Sequence, residues 1–177
     1  MTNYFDIYEL PISFHPSQAA VKSKFYELSR RFHPDRFAQA GADAMAETMR
    51  MAATVNEGYK TLKDADATMA CILRMNGLLE EDEKYSLPPA FLMEMMDLNE
   101  AVSDYEDAPD NEAARLTALS SLAELLQAWE DTTTALTRRF DEGEQNEAIL
   151  LQIKDMYFRK KYLLRIQERI DRFAAQL

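Results

Sequence analysis

The chain has 177 residues and a formal net charge of −11, so it has no global positive field to neutralise phosphates, which excludes a general nucleic-acid binder. Its one cysteine, Cys71, excludes an internal disulfide, and with only two histidines beside it no zinc pattern can be assembled. Four glycines and six prolines among many Ala, Leu, Met, Glu and Gln favour helix throughout, and no run of about eighteen apolar residues is available to span a membrane.

In chain order, Met1 to Glu9 reads neither as a signal peptide nor as an arginine-rich transit sequence, so a cytoplasmic location is expected. Tyr4 to Leu10, ending at Pro11, is an apolar segment of about two helical turns, too short to be stable alone. Ile12 to Pro16 reads as a loop, with Ser17 as the N-cap of the next helix. Val21, Phe25, Leu28 and Phe32 then recur at spacings of four, three and four, one apolar face of a helix. Lys22, Lys24, Arg30 and Arg31 fall largely outside that stripe. Taken alone, they read as a solvated face.

That helix runs into Arg30-Arg31-Phe32-His33-Pro34-Asp35-Arg36. Pro34 lacks an amide hydrogen and disfavours αR geometry at His33, so the helix is expected to stop there and present His33 and Asp35 on a loop. From Gln18 to Phe37 the chain carries five cations against two acids, a local net of +3 in an acidic protein. Ala38 to Asp43 reads as connector, and a third helix is predicted from about Asp43 to Lys63 with Ala52, Val55, Tyr59 and Leu62 buried. Two antiparallel helices joined by an exposed loop result. Ala67 to Met75 is a further short apolar segment that stops at Asn76-Gly77, with Cys71 read as core.

Leu78 to Pro89, with its acidic run Glu80 to Glu83 and the pair Pro88-Pro89, marks a linker. Beyond it, Phe91, Met95, Leu98, Val102 and Tyr105 form a packing seam that Pro109-Asp-Asn ends. Leu119, Leu122, Leu126, Trp129, Thr133, Leu136 and Phe140 continue the alternation up to a turn at Asp141-Glu-Gly143. A last helix uses Ile149, Ile153, Met156, Leu163, Ile166, Ile170, Phe173 and Leu177. Three amphipathic helices with short connections imply a three-helix bundle, and the whole chain an all-α protein. The expected division is 1–77, a linker over 78–89, and the bundle over 90–177.

At about 100° per residue, the face of the first bundle helix opposite its seam carries Met93, Glu100 and Asp104, with Met96 and Asp97 flanking them and Leu92 nearer the side. An exposed apolar cluster beside an acidic row has the composition of a partner surface. Phe158 also lies off the seam of the last helix. The alternative is that Leu92, Met93, Met96 and Phe158 widen the core or meet the first domain. Seven cations against three acids from Leu151 to Leu177 are expected to meet the acids of the first bundle helix across the bundle.

The amino-terminal part resembles a J-domain, the module by which co-chaperones engage DnaK-type ATPase chaperones. The resemblance rests on the basic helix, on His33-Pro34-Asp35, and on the following helix with Asn56-Glu-Gly-Tyr-Lys-Thr-Leu62. The opening Tyr4-Phe-Asp-Ile-Tyr-Glu-Leu-Pro11 and the later Phe91-Leu-Met-Glu94 look like one branch, the HscB-type co-chaperones of iron–sulfur cluster assembly, over nearly the whole chain. The resemblance implies a J-domain followed by a bundle that holds the cluster scaffold IscU, which the J-domain delivers to a specialised chaperone, HscA. It points to His33, Pro34, Asp35, Lys22, Arg30, Arg31 and Arg36 for the chaperone. For the scaffold it points to Leu92, Met93, Met96, Asp97, Glu100, Asp104 and Phe158.

Departures from the pattern are Gly58 for the usual alanine, and Ala65, Thr68 and Cys71 for the usual proline, arginine and tyrosine. Gly58 is expected to weaken its helix by roughly 1 kcal/mol, and the departures after Leu62 to alter packing at the end of the J-domain with the fold kept. The metal-binding cysteine extension of some eukaryotic relatives is absent, and no cofactor, metal, nucleic acid or membrane partner is implied. Two rivals remain. One is a J-domain protein or plain helical adaptor with a different client, and the other an enzyme using His33 and Asp35 as a base and its orienter. The latter has no nearby nucleophile or phosphate cradle, so no catalytic residue is assigned.

Overall fold

The structure is a computed structural model that describes residues 2–37 and 41–175, with the side chains of Arg36 and Phe37 outside the described set. Among the described residues it has seven α-helices and no strand. The chain divides into two compact units, one of residues 1–80 with 137–145 and one of 81–136 with 146–177.

In the first unit, α1 (Tyr4–Ile7) is one turn long rather than two. Asn3 caps it from both the Phe5 and Asp6 amides, and Glu9, with φ +52°, turns the chain out of the helix. It buries Phe5 and, just beyond, Tyr8 completely. Ser17 caps α2 (Gln18–Arg31), accepting from the Ala20 amide. The apolar stripe is graded, with Val21 and Leu28 buried and Phe25 and Phe32 half-buried. Phe25 stacks on Tyr59 of α3 (Ala42–Lys63), centroids 4.3 Å apart. On α3, Val55 and Leu62 are buried and Ala52 and Tyr59 half-buried. The expected connector over Ala38–Asp43 lies partly outside the described residues, since 38–40 are not among them.

The unexpected member of the α3 core face is Gly58. A Cβ there would stand 2.7 Å from Tyr8 Cε2 and 3.1 Å from Tyr4 Cδ1. The missing side chain lets the Tyr8 ring lie against the helix, where its hydroxyl donates to the Val55 carbonyl at 2.6 Å. Asp64 caps α4 (Ala65–Met75), accepting from the Ala67 amide at 2.7 Å. Thr68 to Leu73 are all buried, Cys71 among them, and Thr68 Oγ1 donates to the Thr61 carbonyl. Of the departures after Leu62, Thr68 and Cys71 are fully enclosed and Ala65 is exposed, so the end of this unit packs without a gap at either buried position. Small side chains and a locally satisfied hydroxyl fit an interior that Tyr8 fills. Gly77, at φ +70°, ends α4 with Gly77 N–H to Arg74 O and Leu78 N–H to Leu73 O, the Schellman pattern.

In the second unit, α5 (Pro89–Asp107), α6 (Glu112–Asp141, as far as Leu136 in this unit) and α7 (Glu147–Ala174) form the bundle. Phe91, Met95, Leu98, Val102 and Tyr105 of α5 are all buried against Ala118, Leu122, Leu163, Ile166 and Ile170. Leu119, Leu126, Trp129 and Phe173 close the edges as half-buried residues, while Leu177 lies outside the described residues. Asn111 and Asn146 cap α6 and α7. Segment 81–88 is irregular but anchored within this unit. Glu83 pairs with Lys154 at 2.5 Å and the Tyr85 hydroxyl donates to Asp155 Oδ1 at 3.0 Å.

Candidate functional site

Two surfaces, one on each unit, carry the residues singled out by sequence. The first begins where α2 ends. Phe32 is the C-cap, its amide donating to the Leu28 carbonyl, and Pro34 opens a 3-10 turn, Pro34–Phe37, rather than the expected loop. Proline suits that first helical position, where its missing amide hydrogen has no acceptor to lose. The Asp35 amide donates to His33 Nδ1 at 3.3 Å, so the imidazole acts as the cap of the turn. His33 Nδ1 also lies 3.6 Å from Asp35 Oδ2. The Asp35 side chain is 89% exposed, a carboxylate held out at the tip of the capped turn.

Lys22 is exposed four residues before Tyr26, and Arg30 four residues after it, so the three share one strip of α2 that leads to His33. Tyr26, Ser29, Arg30 and His33 line a shallow depression of about 400 Å³. Tyr26 was not singled out by sequence. Its spacing between two cations, off the apolar stripe, was the available signal. Arg31 is exposed with its guanidinium 5.4 Å from the Phe32 ring, whereas Lys24 is drawn to Glu9 and Glu27 and leaves the basic strip. The hydrogen bond from Lys24 holds the Glu9 carboxyl below its ordinary range, and Glu9 raises Lys24 in return. The Arg36 side chain lies outside the described residues.

The second surface is the outer face of α5. Met93 is 70% exposed and Met96 66%, with Leu92 exposed beside them. Asp97, Glu100 and Asp104 are exposed along the same face, and none is in an ion pair among the described residues. The expectation that the cations of α7 meet the acids of the first bundle helix holds for one pair, Arg169 with Glu106, and not for the outer row. Arg169 pairs with Glu106, on the inner side of α5, its Nε donating to Oε1 at 2.8 Å, while Lys154 pairs with Glu83 and Arg159 with Asp155 of its own helix. Only residues near the α5–α7 seam are within reach, and the acidic row faces away from it. Arg169 lowers the Glu106 carboxyl by hydrogen bonding.

Phe158 is half-buried rather than free. It stacks on Tyr85 with centroids 4.4 Å apart and planes 5° from parallel. Nothing in the periodicity of α7 reveals Tyr85, because it comes from an irregular segment. Cys71 is buried in apolar surroundings, which push its thiol up and leave it unreactive. Among the described residues no cluster of three or more His, Cys, Asp or Glu could hold a metal ion, and no helix is long and apolar enough to cross a membrane.

These geometries can be set against known proteins. A co-chaperone protein HscB homolog of Vibrio cholerae is 30% identical over 179 residues, covering 99% of this chain and 98% of the relative. The chain belongs to the HscB family of co-chaperones. The HscB homolog of Cupriavidus taiwanensis is 31% identical over 171 residues, 96% of this chain and 94% of its own. Residues 87–171 match the family model described as the HSCB C-terminal oligomerisation domain, a span that includes the whole of α5 and most of α7. The solved chaperone HscB from Vibrio cholerae superposes with a TM-score of 0.67 at 28% identity, covering 99% of both chains. Human co-chaperone HscB shares the fold, with a TM-score of 0.71 at 22% identity over 100% of this chain and 84% of its own. The all-helical architecture is thus that of HscB, and the relatives are co-chaperones rather than enzymes.

Proposed function

We propose that this HscB-family chain stimulates ATP hydrolysis by a specialised DnaK-type chaperone of the HscA kind and delivers the iron–sulfur cluster scaffold IscU to it, in the cytoplasm. The observation that carries the reading is the pairing, within one chain, of an exposed carboxylate on a capped turn with an exposed apolar and acidic helix face. In this reading residues 1–77 are the J-domain and 90–177 the scaffold-binding bundle. Lys22, Arg30, Arg31 and Arg36 steer the J-domain to an acidic surface of the chaperone. Asp35 then makes a charge-assisted contact with a basic group there, favouring the conformation that hydrolyses ATP. His33 and Pro34 hold the turn that aims it. ATP is hydrolysed by the chaperone, so Asp35 acts as an allosteric ligand.

On the bundle, Leu92, Met93 and Met96 supply apolar contact that methionine adapts to a partner's shape, and Asp97, Glu100 and Asp104 supply the charge that selects a basic counterpart. Phe158 adds an aromatic anchor. The test is steady-state ATP hydrolysis by an HscA-type chaperone with and without its scaffold. Asp35→Ala should abolish stimulation altogether, while Met93→Ala/Met96→Ala should keep stimulation by the co-chaperone alone and lose the scaffold's synergy. Full stimulation by Asp35→Ala, or intact synergy in the double variant, would sink the corresponding half of the proposal.

A further inference from the structure

Phe158 stands alone among the proposed scaffold contacts in being covered by another part of its own unit. Where α5 and α7 run side by side, Asn99 Nδ2 donates to the Tyr162 hydroxyl at 3.0 Å, and Arg169 reaches Ser103 and Glu106. The two helices therefore run in the same direction, and one turn back along each strip lie Met96 on α5 and Phe158 on α7, with Leu92 a turn further. Tyr85 lies flat against Phe158 at this place. Its hydroxyl is tied to Asp155, which also accepts from Arg159 Nε at 2.7 Å, and Lys154 holds Glu83 two residues before it while standing 5.7 Å from the Tyr85 ring. Tyr157 meets the edge of Phe158 at 5.3 Å, and Lys161 Nζ lies 5.6 Å from its centroid. The side chains of Glu83, Lys154 and Asp155 are each no more than 21% exposed, so the strap is seated in the unit rather than laid over it.

We propose that Tyr85 is a positioning residue for the scaffold contact, which holds Phe158 in one orientation beside Met96 so that the face is preformed before the partner arrives. This rests on the reading of α5 and Phe158 as the scaffold-binding face. An aromatic side chain on a helix surface otherwise samples several rotamers, and fixing it on binding costs affinity. A parallel stack removes most of that freedom in advance. The anchored strap argues for a fixed support over a lid, because opening it would break the Glu83–Lys154 ion pair and the Tyr85–Asp155 hydrogen bond together.

The test is calorimetric titration of the full chain with purified IscU-type scaffold, on the wild type and on Y85A, Y85F, F158A and Y85A/F158A, with thermal unfolding as the folding control. Y85A should bind about three- to tenfold more weakly, the cost of one newly mobile side chain. Y85F keeps the stack and should rescue binding to within about twofold, and Y85A should add nothing once F158A is present. E83A, which loosens the strap without touching either ring, should weaken binding in the same direction. Unchanged or tighter binding by Y85A would overturn the inference, tighter binding marking a lid. So would a full loss in the F158A background, or Y85F as weak as Y85A. A wild type that does not bind the scaffold would remove the underlying reading instead.

Discussion

Gly58 illustrates how a residue read from helix propensity alone misleads. Glycine inside α3 costs about 1 kcal/mol relative to alanine, so Gly58→Ala would stabilise an isolated helix. In the folded chain the new methyl would stand 2.7 Å from the Tyr8 ring, whose hydroxyl is pinned to the Val55 carbonyl. Gly58→Ala is therefore expected to lower stability by about 1–3 kcal/mol in chemical denaturation. In a Tyr8→Leu background the penalty should shrink, leaving the 3.1 Å approach to Tyr4 Cδ1. Tyr8 also makes stability depend on high pH. Burial pushes its phenol up to about 12. The unfolded chain releases that proton near pH 10 and the folded one does not, so this contribution is complete below pH 10 and is lost as pH rises to about 12. The urea midpoint of the wild type should fall over that interval more steeply than that of Tyr8→Phe.

Among the elements, the short loop before α2 shows how little sequence spacing says about long-range capping. Asp141, at the end of α6, accepts from Ser13 Oγ at 2.8 Å, from the Phe14 amide at 2.8 Å and from the His15 amide at 3.2 Å, and Phe14 packs edge-on against Phe140. One carboxylate thus satisfies a loop that has no internal ladder. Asp141→Ala leaves the Ser13 hydroxyl and the Phe14 amide without this acceptor, while the His15 amide keeps Ser13 Oγ, and should cost about 1–3 kcal/mol of stability. Differential scanning calorimetry reads this as a lower melting temperature, and Asp141→Asn, which keeps one acceptor oxygen, should recover part of the loss. The 3-10 turn is a locally capped counterpart. His33 caps it locally, its Nδ1 accepting from the Asp35 amide, so the stop at Pro34 turns the chain over within three residues.

For the whole molecule, the two surfaces differ in physical type, and the partners proposed for them should respond differently to ionic strength. The α2 strip is cationic and exposed, and charges beyond about 10 Å are screened at 0.1 M salt. Raising salt from about 50 to about 300 mM should slow association with the chaperone by roughly tenfold, measured by stopped flow. The α5 face proposed for the scaffold joins three acids to Leu92, Met93 and Met96, so its association should also slow with salt, while its dissociation, set by the apolar contact, should change by less than about twofold. Scaffold dissociation as salt-sensitive as chaperone association would count against the division of labour.

The sequence by itself determined the helices and their buried stripes, because a 3.6-residue period is a local property that needs no partner to be read. It also located the stop at Pro34, the Gly77 terminus and the exposed row on α5, each set by bonds within a few residues. Tertiary structure alone decided the rest. Tyr85 lies on Phe158, Asp141 caps a loop more than a hundred residues away, Arg169 chooses Glu106 over the outer acids, and Tyr8 turns Gly58 from a weak point into a fit. These pairings depend on which surfaces the packed helices bring within a few ångströms, and no periodicity along the chain encodes that distance.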